Sequence, residues 1–210
     1  MTTVDERPPA ALPAVSDAHG NHDTHTGSTN AKLGMWLFLA SDCLFFGAFI
    51  AAYLLYRGRP GQEGPTAAEI YNIPFTSVTS FILLMSSLTM VLALAAIMRG
   101  DSRRLRIWLL ATALFGATFI GGQVFEFTEF SREGLNIDTS LFGSSFFVLT
   151  GLHGAHVTGG IIWLLSLWGL ATQGKLNVAD SEKVEIAGLY WHFVDVVWIV
   201  IFTMVYLIPQ

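Results

Sequence analysis

The sequence contains few charged residues and a single cysteine. Of its 210 residues, 13% are charged and 52% are hydrophobic. A soluble domain carries about 25% charged residues, and the apolar residues here are gathered into runs longer than a globular core requires. The single cysteine, Cys43, excludes an intrachain disulfide framework and a cysteine-based metal centre. The composition therefore predicts a protein that spans a membrane several times.

Strong positive charge is also missing. The formal net charge is -5, so the composition does not indicate a nucleic-acid partner. The polar start of the chain, with two acids and two prolines between Asp5 and Pro9, has no apolar core of a cleavable signal. Residues 1–31 lack apolar periodicity and are predicted to be a disordered cytoplasmic tail. Residues 32–210 are predicted to form one membrane domain.

Five apolar runs are long enough to cross a bilayer as helices, which predicts an all-α polytopic membrane protein. They cover about 33–56, 75–98, 107–128, 141–172 and 186–207. Of the 11 Lys and Arg residues, eight fall in segments on the side of the N-terminus and three on the other side. Because basic residues concentrate in cytoplasmic segments, we expect a cytoplasmic N-terminus and an outer C-terminus.

The run 141–172 contains no Asp, Glu, Lys or Arg, yet it carries His153 and His156. Their spacing of three places both histidines on one face of a helix. Small residues between membrane helices allow the backbones to approach closely. This pattern predicts helix packing at four glycines of the run, Gly151, Gly154, Gly159 and Gly160.

Ionisable residues inside predicted spans are the candidates for function, because they are costly in a bilayer unless they have partners. These residues are Asp42, Glu126, His153, His156, His192 and Asp195. Three interpretations compete. The first is a metal or haem site of the three histidines, although three on two helices are few. Asp42, Glu126 and His153 in series would form a proton path. Alternatively, all six satisfy one another and hold the bundle together.

Four stretches resemble subunit III of the haem–copper terminal oxidases. FFVLTGLHGAHVTGG begins at Phe146, and YWHFVDVVWIVIFTMVYL begins at Tyr190. GMWLFLASDCLFF begins at Gly34, and GQVFEF begins at Gly122. All four resemble signatures of this family, and they occur in the family's order. The family's long form has seven helices, whereas this chain has five and starts where the third helix of the long form would.

The resemblance implies roles for single residues. Asp42 matches a buried carboxylate of the family that reacts with carbodiimides, usually a glutamate. Glu126 matches the acid of the Gln-x-x-Glu motif, and the four remaining candidates match the signature histidines and the C-terminal His/Asp pair. For all six, the resemblance implies bundle structure and contact with lipid or the catalytic subunit, with no catalytic, cofactor-binding or metal-binding residue in this chain.

The resemblance implies a non-catalytic subunit of a proton-pumping cytochrome c oxidase in a bacterial plasma membrane. It would stabilise the catalytic subunit and support its proton uptake. The expected partners are subunit I, subunit II, a small subunit IV and membrane lipids. Haems and copper are expected in the partner subunits, and a bound phospholipid is compatible with this chain. Two alternatives stay open: a quinol oxidase subunit III, which the stretch GPTAAEIYNIPF also resembles, and a stand-alone proton-coupled transporter.

Overall fold

The computed structural model describes residues 29–56, 72–134, 137 and 141–208. Regular structure in these ranges is helical and comprises five long helices. They are α1 (Asn30–Tyr56), α2 (Ile73–Met98), α3 (Ser102–Arg132), α4 (Leu141–Thr172) and α5 (Ser181–Phe202). A 3-10 turn, Val178–Asp180, precedes α5, and a π-helical turn, Thr203–Leu207, follows it. The predicted tail lies outside the described residues except at its end.

Polar capping residues set several helix ends. Asn72 caps α2 by accepting a hydrogen bond from the Phe75 backbone N–H, and Asp101 caps α3 in the same way through Arg104. Such caps satisfy backbone donors that the first helical turn leaves without partners. As a result, α3 begins at Ser102, ahead of the apolar run 107–128; it also continues past that run to Arg132.

Successive helices run antiparallel. Between α2 and α3, Thr76 pairs with Glu126 and Thr89 pairs with Thr112. Residue numbers therefore increase along α2 in the direction in which they decrease along α3. The aromatic and polar contacts between α3 and α4, and between α4 and α5, follow the same rule. Helix α1 packs on α4 and α5 and runs parallel to α5.

The core of the bundle is aromatic. Trp191 and Trp198 of α5 are both almost completely buried, as are Phe119 of α3 and Phe146 of α4. Trp191 fits between two glycines: a Cβ built on Gly116 would lie 2.6 Å from its Cη2, and one built on Gly160 would lie 2.8 Å from its Cε3. Only glycine at these positions lets α3 and α4 close on the indole ring.

The outer faces of the helices are apolar. Leu44 is 79% exposed and Leu37 is 66% exposed, and large exposed hydrophobic side chains occur on all five helices. A soluble monomer does not expose apolar surface of this extent. All five helices are long and apolar enough to span a membrane. The chain is therefore a polytopic, multi-pass membrane protein.

Candidate functional site

The first of the buried polar contacts joins α1 to α4. Asp42 Oδ2 lies 3.5 Å from His156 Nε2, and both side chains are largely buried. His156 Nδ1 lies 2.8 Å from the Leu152 carbonyl oxygen, which fixes Nδ1 as the protonated nitrogen because a carbonyl only accepts. The Tyr190 hydroxyl donates to the His156 carbonyl at 2.9 Å.

This arrangement determines what the pair can do chemically. With Nδ1–H committed to Leu152, a neutral His156 presents only a lone pair to Asp42. At 3.5 Å the two groups are in contact without a hydrogen bond, and the buried Asp42 Oδ2 forms none with any described residue. The Asp42–His156 pair thus places an ionisable carboxyl beside an imidazole inside the bundle.

His153 has no such partner. It is completely buried, and neither ring nitrogen forms a hydrogen bond to a described residue. Three aromatic rings surround it: Trp198 stacks on it with ring centroids 4.9 Å apart, while Phe119 and Phe46 present edges at 5.8 and 6.5 Å. The imidazole therefore packs as an aromatic side chain at the meeting point of four helices.

The interface between α2 and α5 is a row of polar contacts, which we call the α2–α5 seam. Trp191 Nε1 donates to Ser86 Oγ and Trp198 Nε1 donates to Ser80 Oγ, each at 2.8 Å. Ser87 Oγ donates to Asp195 and also lies 2.9 Å from His192 Nδ1. His192 and Asp195 share one helix face, as their spacing predicts, and Ser87 of the neighbouring helix bridges them.

Two further contacts involve α3. The Thr76 hydroxyl of α2 donates to Glu126, which is buried. Gln123 Nε2 donates to the Thr150 carbonyl of α4 at 2.6 Å. The amide of Gln123 thereby covers Gly154, where a built Cβ would lie 2.5 Å from Gln123 Oε1.

The six candidate residues do not converge on one centre. Among the described residues, no group of three or more His, Cys, Asp or Glu side chains is placed to hold a metal ion. Asp42, Glu126 and His153 are not joined by hydrogen bonds to one another within the described ranges, so the proposed series is not continuous there. Most partners are instead Ser, Thr and Trp side chains. The hydroxyl-rich sequence of α2 indicates such contacts, but their pairing depends on helix register.

The four predicted packing glycines divide into two pairs. Gly154 and Gly160 lie where neighbouring side chains approach too closely for a Cβ. Gly159 meets only the Tyr190 hydroxyl at 3.8 Å, and a Cβ on Gly151 meets no described atom within 4 Å. Among the described residues, helix packing against Gly151 and Gly159 is therefore not seen.

The amino-acid sequence is similar to known proteins over most of its length. The family model for cytochrome c oxidase subunit III matches residues 12–209. The chain belongs to the cytochrome c oxidase subunit III family. A protein named cytochrome c oxidase subunit 3 from Bacillus sp. strain PS3 is 40% identical over 178 residues, covering 85% of this chain and 86% of the relative.

Relatives with a different name are similar to nearly the same degree. Quinol oxidase subunit 3 of Bacillus spizizenii is 38% identical over 192 residues, covering 91% of this chain and 93% of the relative. Probable quinol oxidase subunit 3 of Staphylococcus saprophyticus is also 38% identical, covering 88% and 92%. At the level of the family, this chain is thus subunit III of a haem–copper oxidase. It is part of a multi-subunit terminal oxidase.

Proposed function

We propose that this chain is the non-catalytic subunit III of a proton-pumping cytochrome c oxidase in a bacterial plasma membrane, with its N-terminus in the cytoplasm. The observation that carries the proposal is the family match over residues 12–209. The holoenzyme would reduce oxygen to water, with haems and copper held by the partner subunits I and II. A small subunit IV and bound phospholipid complete the proposed complex.

The positions of the histidines support a non-catalytic role. His153 lies in an aromatic cage, His156 faces Asp42, and His192 contacts Ser87. Since these three are the histidines of the spans, they do not supply the converging ligands that a haem–copper centre requires.

The Asp42–His156 pair supports the second part of the proposal. It places a carboxyl and an imidazole side by side near the lipid-facing side of α1, where Leu44 and Phe45 are exposed. A subunit with such a pair can take up and release protons beside the catalytic subunit without redox chemistry of its own. Replacement of Asp42 tests this role, as described in the Discussion.

A quinol oxidase subunit III is the second candidate function. The 38% identity to the quinol oxidase relatives, against 40% for the cytochrome c oxidase relative, supports it almost equally. The electron donor is bound outside this chain, and therefore these residues carry little information about it.

A single purification tests both candidate functions. The tagged chain is extracted in mild detergent, and a reduced-minus-oxidised visible spectrum is recorded of the material that co-purifies. We expect haem bands together with oxygen uptake driven by reduced cytochrome c. Uptake with a quinol but not with cytochrome c would assign the quinol oxidase class instead. A stable, colourless preparation that carries proton flux in vesicles would favour the stand-alone transporter.

A further inference from the structure

The connection between α2 and α3 is short and conformationally fixed. Gly100 adopts φ +74° and donates its N–H to the Ile97 carbonyl at 2.9 Å, while the Asp101 N–H reaches the Ala96 carbonyl at 3.0 Å. These two bonds form a Schellman motif, which ends α2. Asp101 then caps α3. The arginines on both sides of this turn are therefore held in a defined arrangement.

A cleft of about 560 Å³ opens beside this turn. Its polar end is formed by Arg99, Asp101 and Arg104. Its walls are apolar and include the indole of Trp108, with Leu92, Ala96 and Ile107. A cleft of this volume is within the range of sites that hold small ligands, and it is charged at one end and apolar along its length.

The charged end carries an excess of positive charge. Within the described ranges, Arg99 forms no ion pair, and Arg104 pairs only with Asp101, its Nε lying 3.2 Å from Oδ2. One carboxylate and two arginines thus line the cleft. A guanidinium has five N–H donors, so both arginines retain donors for a further anion.

The cleft lies at the level of a membrane interface. The apolar part of α3 begins at Ile107, directly before Trp108, and tryptophan is enriched at the head-group level of bilayers. A second, smaller cleft on the other side of α3 repeats the combination, with Arg103, Arg106 and Trp168 among its lining residues. This end of the bundle therefore presents arginine above tryptophan on both sides of α3.

We propose that the cleft of Arg99, Arg104 and Trp108 binds an anionic phospholipid. The two guanidinium groups receive the lipid phosphate, Trp108 packs against the glycerol region, and an acyl chain follows Leu92, Ala96 and Ile107. Basic pockets between membrane helices recognise anionic head groups in this way. The site requires only that the chain spans a bilayer, so it stands independently of the electron donor and of the pumping role.

The first test uses the unaltered complex that contains this chain. It is reconstituted into phosphatidylcholine vesicles containing a minor fraction of phosphatidylglycerol, with a photoreactive group on an acyl chain of either lipid. We expect the phosphatidylglycerol probe to label peptides of residues 92–108 several-fold more than the phosphatidylcholine probe. Equal labelling by the two probes would overturn the proposal.

The second test removes the charges. Arg99→Gln and Arg104→Gln should each reduce the preference for phosphatidylglycerol about fivefold, and Lys at either position should retain most of it. Arg132→Gln is the matched control, since Arg132 is an exposed arginine at the opposite end of α3, paired with Glu129. An unchanged preference in the double Gln variant, or an equal loss in the control, would refute the site.

Competition with inorganic phosphate distinguishes a lipid head group from a free phosphate ion as the anion bound in the cleft. For a lipid site, added phosphate should leave the labelling by phosphatidylglycerol nearly unchanged, because the acyl chain contributes to binding. Complete displacement by phosphate would show that the cleft takes a free anion, contrary to the proposal.

Discussion

At the scale of single residues, the structure distinguishes glycines that share one helix. Gly160 lies against the six-membered ring of Trp191, whereas Gly169 of the same helix has open space where a Cβ would lie. Trp191 is 1% exposed and is held by its bond to Ser86, so its ring cannot move aside. The glycines of α4 are therefore not interchangeable, although the sequence presents them as one pattern.

Gly160→Ala should destabilise the bundle for this reason. Overpacking a core by one methyl group costs about 1–3 kcal/mol, which exceeds the gain of about 1 kcal/mol from replacing a helical glycine by alanine. Gly169→Ala, with that gain and no clash, should be neutral or stabilising. Thermal inactivation of the purified complex measures both; equal melting temperatures for the two variants would show that Trp191 can shift.

Asp42 provides a second prediction. Asp42→Asn keeps a polar group of the same size beside His156 Nε2 but cannot exchange a proton, so assembly should be intact while sustained turnover changes modestly. Asp42→Leu replaces the polar neighbour of the largely buried His156 by an apolar side chain and should cost about 1–3 kcal/mol. The measurements are the subunit content of the purified complex and oxygen uptake over many turnovers.

The two variants separate structural from proton-transfer roles. If Asp42→Asn removes subunit III from the complex, the charge of Asp42 is required for docking. If the complex with Asp42→Asn sustains oxygen uptake over as many turnovers as the wild-type complex, the pair has no role in proton uptake.

At the scale of helices, the α2–α5 seam holds two elements that are distant in sequence. The seam uses serines on α2 and tryptophans on α5, each spaced by about two turns: Ser80 and Ser86, Trp191 and Trp198. Buried indole N–H groups require acceptors, and these hydroxyls supply them. The seam fixes the register of α5 against α2.

Ser86→Ala should therefore weaken the bundle by about 1–3 kcal/mol, because it leaves the buried Trp191 N–H without an acceptor. Ser166→Ala is the matched control, since its exposed hydroxyl donates only to the Ile162 carbonyl of its own helix. Accumulation of the chain in membranes and the melting temperature of the complex report the difference. A control that is equally destabilised would argue against the seam.

The elements themselves could be predicted from sequence, but their contacts could not. Apolar runs long enough to cross a bilayer locate all five helices, because helices satisfy their own backbone polar groups in lipid. The start of α3 differs from its predicted span because Asp101 caps it within the polar sequence. The pairing of Glu126 with Thr76, or of His192 with Ser87, depends on the register between helices, which hydropathy does not encode.

At the scale of the whole molecule, the two ends of the described bundle differ in their charged residues. The arginines of the α2–α3 turn and the lysine that follows α4 lie at one end, and the turn after α3 lies at the other. Since basic residues concentrate on the cytoplasmic side, this distribution predicts the orientation proposed above, with the N-terminus in the cytoplasm. The lipid cleft of Arg99 and Arg104 would then face the cytoplasmic leaflet.

Labelling of single cysteines tests this orientation in full. Cys43, the only native cysteine and an exposed one, is first replaced by alanine. Cysteines are then introduced singly at Lys175 and Glu133, which are exposed residues following α4 and α3. A membrane-impermeant maleimide should reach position 133 in right-side-out vesicles and position 175 in inside-out vesicles. The reverse pattern would invert the orientation, whereas labelling of both positions from one side would contradict the membrane crossing of α4, because that helix alone separates them.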